Sequence, residues 1–228
     1  MTTRELQLGA SNSSRLRAGL NRRSFVSAKP TDLSRKVAHS KRASGGGPGH
    51  VTMRLRAGLP TMRSPRVYRA LERIFRIAND RLGMRICHFS VMSNHIHMLI
   101  DSNNQELVSR AMQGLCIRIA KALNRGWKRA GQIFDSRYDL RWIPSVMGVR
   151  RVVRYVLQNA RKHGVRLPDG TPDPYSSARW HRWDEDICRP MRGAPVVQHL
   201  VESFVTLQGL SMSQGMSLYD LPGTRMSY

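Results

Sequence analysis

The amino-acid sequence predicts an α+β domain whose elements run β-α-β-β-α-β-α. Three observations carry that expectation. Four stretches place apolar residues at alternate positions, the period of a half-buried strand. Three others place them at three- and four-residue intervals, the period of a helix face. Serine, proline and glycine fall at the junctions between the two kinds of stretch.

The first strand is read in HVTMRLRAGLP, residues 50–60, where Val51, Met53 and Leu55 alternate with Thr52, Arg54 and Arg56. A helix comes next in RSPRVYRALERIFRIANDRLG. Ser64 suits the N-cap and Pro65 the first helical position. Val67, Leu71, Ile74, Ala78 and Leu82 make its apolar stripe, and Gly83 is placed to stop it. The arginines opposite, Arg66, Arg69, Arg73 and Arg76, are what a solvated face carries. MRICHFSVM and HIHMLID, with Ser93-Asn94 between them, read as a hairpin. The second helix spans NQELVSRAMQGLCIRIAKALNRG, with Val108, Ala111, Leu115, Ile119 and Ala122 inward and Gly126 at its end. QIFDSRYDLRWIP is a fourth strand with polar interruptions. SVMGVRRVVRYVLQNARKHG is a third helix, capped by Ser145 and closed by Gly164. This is the ferredoxin-like split βαβ order with one extra helix. It implies a mostly antiparallel sheet with helices on one face.

The chain has 228 residues, enough for one domain with tails. Residues 1–48 are rich in Arg, Ser and Gly, end in KRASGGGPGH, and read as a basic arm without regular structure. Such an arm is either a solvated tail or a non-specific DNA-binding segment. Residues 49–183 hold the patterned body. Residues 184–228 form a weakly patterned extension, with VVQHLVESFVTL in the pattern of one short helix.

Charge limits the partners. Lys and Arg number 38 against 15 Asp and Glu, a net of +23. A polyanion is the expected partner, nucleic acid first and a membrane surface second. No uninterrupted apolar window of ~18 residues exists, so no transmembrane helix is expected. The first residues lack the apolar segment of a secretory signal. Cys87, Cys116 and Cys188 are odd in number and far apart, which reads as reduced thiols in the cytoplasm, here beside the nucleoid.

VMSNHIHMLI poses the functional question. Side chains alternate across a strand, so His95 and His97 aim two imidazoles in one direction. Two histidines do not make a metal site alone, and an ordinary pair on an edge strand is the plain alternative. The third helix adds Tyr155 and Asn159, at i and i+4 on one face. A phenol can attack a phosphodiester and hold the DNA end covalently. Its pKa of about 10 calls for assistance at neutral pH. A divalent ion beside the phosphate supplies such assistance. Two imidazoles and one amide oxygen would hold it without adding negative charge.

With these residues in view, NHIHMLI resembles the HUH motif. YVLQN resembles the nucleophile helix of the single-tyrosine HUH transposases, in the REP-associated, IS200-like branch. GQIFDSRY and PYSSARW are similar to that family's last strand and post-helix segment. The resemblance covers roughly residues 49–183. It implies Tyr155 as nucleophile, His95, His97 and Asn159 as metal ligands, and Mg2+ or Mn2+ as cofactor. It implies cleavage and rejoining of single-stranded DNA beside an imperfect hairpin, through a 5′-phosphotyrosine. A homodimer is left open. Two departures stand out: Asn159 is followed by Ala160 where the family has proline, and the basic arm lies outside the family core. A domesticated or inactive hairpin-binding relative is the alternative.

Arg137, Arg151, Arg154, Arg161 and Lys162 are candidate DNA contacts, with Tyr138 beside Arg137. Trp127 and Trp142 could stack on bases, although packing is the commoner role. His88 lies on the neighbouring strand. An RNA-binding ferredoxin-like domain would carry stacking aromatics on its central strands, and HIHMLID has none. Relaxases and replication initiators usually add a third histidine or a second tyrosine, which this pattern lacks.

Overall fold

The computed structural model describes residues 46–79, 83–181, 209–211 and 213. The elements are β1 (Gly47–Arg54), α1 (Pro65–Ala78), β2 (Met84–Val91), β3 (His95–Ser102), α2 (Gln105–Gly126), β4 (Asp139–Trp142), α3 (Val146–Leu157) and α4 (Asn159–Lys162). A 3-10 turn lies at Ser177–Trp180. The strands form one sheet in the order β2-β3-β1-β4, every neighbouring pair antiparallel. This is the expected split βαβ arrangement. It puts β3, with its two histidines, in the interior of the sheet and not on an edge.

The pleat divides the core in two. Val51, Met53, Ile86, Phe89, Ile96, Met98 and Ile100 point to one face, under α1 and α2. Cys87 and Leu99 point to the other and pack on Val149, Val152, Val153 and Val156 of α3. Helices therefore cover both faces: the two of the ferredoxin-like core on one, the extra helix on the other. β2 changes register between Ile86 and His88, so a bulge at Cys87 keeps both of its halves in phase with β3.

Several boundaries differ from the sequence expectation, each for a local reason. β1 begins at Gly47, inside the glycine run assigned to the joint. A Cβ on Gly46 would collide with the Ser102 carbonyl, so glycine is what lets the chain pass the end of β3. α1 starts as expected, with the Ser64 hydroxyl accepting from Val67 N at 3.4 Å. It ends at Ala78, well before Gly83, because the Asn79 side-chain oxygen accepts from Ile86 N at 2.8 Å and ties the chain to β2. In α2 the inward residue of the last turn is Leu123, with Ala122 only half-buried. β4 is four residues long; its upstream half touches β1 through one bridge, Phe134 to Leu55. Leu82, Cys188, the arm to Gly45 and VVQHLVESFVTL lie outside the described residues.

The PYSSARW segment seals the edge of β2. Tyr175 O accepts from Val91 N at 2.9 Å, Ser176 bridges Ser90, and Ser177 Oγ accepts from Phe89 N at 3.0 Å. An open strand edge is a template for unwanted pairing, and this segment removes it. Arg63 fixes it with a bidentate pair to Asp173, at 2.8 and 3.0 Å. His88 belongs to this seal: its Nδ1 is 3.1 Å from Ser177 Oγ. Trp127 and Trp142 pack against the core, the commoner of the two roles considered.

Candidate active site

The α3 face of the sheet carries the site. Across the central strands Thr52 pairs with His97 and Arg54 with His95, so these four side chains share that face. Ser145 caps α3 by accepting from Gly148 N at 3.1 Å, and the valine stripe lays the helix across β2 and β3. Tyr155 is thereby carried to the histidines. Its ring lies edge-on to His97, with centroids 5.1 Å apart. His95 and His97 are themselves 4.8 Å apart.

A third imidazole belongs to the group. His50 Nε2 lies 3.1 Å from His97 Nδ1, and Thr52 Oγ1 is equally close to that nitrogen. The His50 ring is also edge-on to Tyr155 at 5.8 Å. His163, just past α4, lies 5.4 Å from His95. Neither histidine is singled out by sequence pattern. His50 does share the alternation of β1 with Thr52 and Arg54, which becomes informative only once β1 is known to lie beside β3.

Burial keeps His50, His95 and His97 neutral. It pushes His97 down to about 2, helped by His50 and His95. Burial likewise holds His50 and His95 at about 4, with Arg141 and His163 respectively adding to it. Neutral imidazole is the metal-binding form. A ligating histidine usually donates its other ring N–H to a neighbour. His95 has Asn94 Oδ1 at 2.8 Å from Nδ1, and His97 has His50 and Thr52. In the tautomer that donates from Nδ1, each ring keeps an Nε2 lone pair.

Tyr155 is half-buried, and burial raises its phenol above the ordinary value while Arg54 pulls it back. The Lys162 ammonium lies 4.5 Å from the centre of its ring. Two cations thus stand near the one phenol.

Asn159 does not share an unbroken helix with Tyr155. α3 ends at Leu157, Gln158 leaves helical geometry at φ −106° and ψ 12°, and Asn159 opens α4. The valine stripe of α3 ends at Val156, and the break gives Asn159 a new direction. Asn159 is fully buried, and both atoms of its amide lack a hydrogen-bond partner. Among the described residues, no three His, Cys, Asp or Glu side chains gather as a metal site. A divalent ion held by His95 and His97 would need a third donor of another kind. The orphaned buried amide of Asn159 fits that need.

The basic candidates divide. Lys162 joins the site. Arg154 is half-buried on α3, and Arg151 is exposed there. Arg161 turns to the Thr171 carbonyl, donating at 2.9 Å. Arg137 is exposed in the loop before β4. Arg54, which sequence reasoning left as an outward strand residue, reaches the site through its register with His95.

Residues 50–159 match the family described as "Transposase IS200 like". That span opens on His50 and closes on Asn159. None of the curated proteins matches the chain. Among solved structures, it is similar to a REP-associated tyrosine transposase bound to a REP hairpin. The two share 18% identity and a TM-score of 0.49, over 61% of this chain and 81% of the other. It is also similar to a candidate transposase from Deinococcus radiodurans R1. There the identity is 13% and the TM-score 0.38, over 48% of this chain and 88% of the other.

Proposed function

From an IS200-like transposase domain at residues 50–159, we propose that this chain cleaves and rejoins single-stranded DNA with Tyr155 as nucleophile. The observation that supports it most is the meeting of Tyr155, from α3, with His97 of the β3 histidine pair, their ring centroids 5.1 Å apart. The Tyr155 phenolic oxygen forms a bond to phosphorus and releases its proton. The bond from phosphorus to the 3′ oxygen breaks, and that oxygen takes up a proton. A 5′-phosphotyrosine remains. In the reverse direction a 3′-hydroxyl attacks the same phosphorus and restores the phenol.

The side chains divide the work. Arg54 and Lys162 favour the phenolate by charge. His95, His97 and Asn159 would hold Mg2+ or Mn2+. The bound ion would polarise the scissile phosphate and offset charge on the leaving oxygen. His50 and Thr52 orient His97. Arg137, Arg151, Arg154 and Arg161 are the candidate phosphate contacts that would steer the strand. The substrate is a single strand beside an imperfect hairpin, and the cytoplasm is the place of action. No described helix is long and apolar enough to cross a membrane.

The test is covalent capture. Tailed hairpin oligonucleotides are incubated with the protein and Mg2+ or Mn2+, then denatured. A DNA–protein adduct that survives denaturant, maps to Tyr155 and requires the divalent ion is the expected result. An adduct on another residue removes Tyr155 from the role.

A further inference from the structure

On the sheet face turned away from the histidines, α2 and residues 131–138 enclose a groove of about 840 Å3. Small-molecule sites have this size, and a nucleobase occupies only part of it. Met53 forms part of the floor. α2 presents Arg110, Gln113 and Ile117 along one helical stripe, and Ile117 is 49% exposed. Phe134 and Tyr138 form the opposite wall, with Arg137 between them in sequence. Among the described residues no carboxylate lines the groove.

We infer that this groove binds an unpaired DNA base. Two partly exposed aromatic rings offer flat faces for stacking, which every base can use. The Gln113 amide offers a donor and an acceptor for a base edge. Arg110 and Arg137 supply positive charge for the adjoining phosphates. The groove and the site share one strand, β1, on its two opposite faces. Met53, in its floor, precedes Arg54, which reaches the histidine face, and Asp135 N donates to the Arg54 carbonyl at 3.0 Å. The end of β1 therefore lies between groove and site, and a strand leaving Tyr155 would pass around it to reach the groove. The inference rests on the single-strand reading of the site.

Photo-cross-linking on the full chain tests it, with a short oligonucleotide carrying 5-iododeoxyuridine. Cross-links at Phe134 or Tyr138 are expected. Gln113→Ala and Tyr138→Ala should weaken single-strand binding, and loss of the Tyr138 stack should amount to roughly 5- to 140-fold. Affinity for a matched duplex should not change, because its bases are already stacked. Gln113 is exposed, so its variant does not endanger the fold. Cross-links confined to other residues, or equal losses on single strand and duplex, would overturn the inference. So would a dimer dispersed by Ile117→Arg with single-strand affinity intact, since the groove would then be an interface between copies. The adduct assay on the same preparations separates the two claims. Groove cross-links without any adduct retire the nucleophile and keep the base site; a normal adduct without groove cross-links does the opposite.

Discussion

His97 Nδ1 lies 3.1 Å from His50 Nε2, a contact across 47 residues of sequence. It joins β1 to β3 at the point where Tyr155 meets the sheet. A partner that fixes the tautomer of a metal-bound histidine typically contributes roughly 10- to 100-fold in metal affinity. His50→Ala is expected to weaken Mn2+ binding by about that range. Isothermal titration reads it directly, without cleavage. An unchanged affinity would leave His50 as packing only.

Replacing the proposed nucleophile isolates the chemistry. Tyr155→Phe removes only the phenolic oxygen, while the ring still packs against His97 and beneath Lys162. The covalent adduct should disappear, and hairpin affinity should stay within about 2-fold, since a half-exposed hydroxyl contributes little to either fold or binding. A denaturant-stable adduct formed by the Phe variant would exclude Tyr155.

The histidine pair carries the parallel expectation for the ion. His95→Ala and His97→Ala should each abolish adduct formation, and excess chelator should do so in the unaltered protein. Cleavage that persists in chelator would return both rings to an ordinary packing role.

Acid should destabilise the fold through these same rings. In the unfolded chain a histidine binds its proton near about 6.5. In the folded chain His50 and His95 titrate at about 4 and His97 at about 2. Above about pH 6.5 both states are neutral and the three rings add no pH dependence. As pH falls from there toward 4, only the unfolded chain takes up protons, and stability drops. The ceiling is about 1.4 kcal/mol per ring per pH unit, with less from the partly open His95. Urea midpoints taken from pH 7 to pH 4.5 should slope downward, and His50→Leu should flatten the slope. A flat profile in the unaltered protein would mean that the rings are solvated.

The local parts of this arrangement are legible in sequence. Alternation in NHIHMLI reports a shared face, and the valine stripe of α3 reports which side of Tyr155 is buried, because both patterns are written within a few residues. The tertiary parts escape. His50 and Arg54 acquire meaning only from the register of β1 against β3, which no local pattern encodes. Gln158 is a good helix former by type, so the break before Asn159 leaves no signature. β4 shortens because Asp135, Ser136 and Arg137 are exposed and interrupt the pairing with β1, leaving the Asp135–Arg54 bond and the Phe134–Leu55 bridge outside the ladder. The second helical layer is likewise hidden, since a valine stripe says that a helix is buried but not on which face of the sheet.

The seal on β2 has its own expectation. The Arg63–Asp173 pair is nearly dry, with side chains 10% and 1% exposed. Removing one member leaves a buried charge, which costs about 3–5 kcal/mol in comparable pairs. Asp173→Ala should therefore lower the unfolding midpoint sharply. Glu72→Ala, which breaks the Arg179–Glu72 pair at 15% and 18% exposure, should do so less. Equal small effects would show that the PYSSARW segment is held by Ser176 and Ser177 alone.

The charge of the chain yields the last expectation. Residues 1–45 carry ten Lys or Arg against two carboxylates. On single strands, log K falls against log salt with a slope of about −0.7 for each neutralised phosphate. If the arm makes several such contacts, its removal should flatten the slope by that amount per contact. The cut belongs before Gly46, because β1 begins at Gly47 and a deletion through residue 48 would take the start of a central strand. Hairpin preference and cleavage position should survive the cut, since both depend on the sheet face and on α3. Salt titrations of the full and shortened chains, against a hairpin and an unstructured strand, measure both at once. An unchanged slope would make the arm a bystander. A lost hairpin preference would move part of the recognition site into the arm.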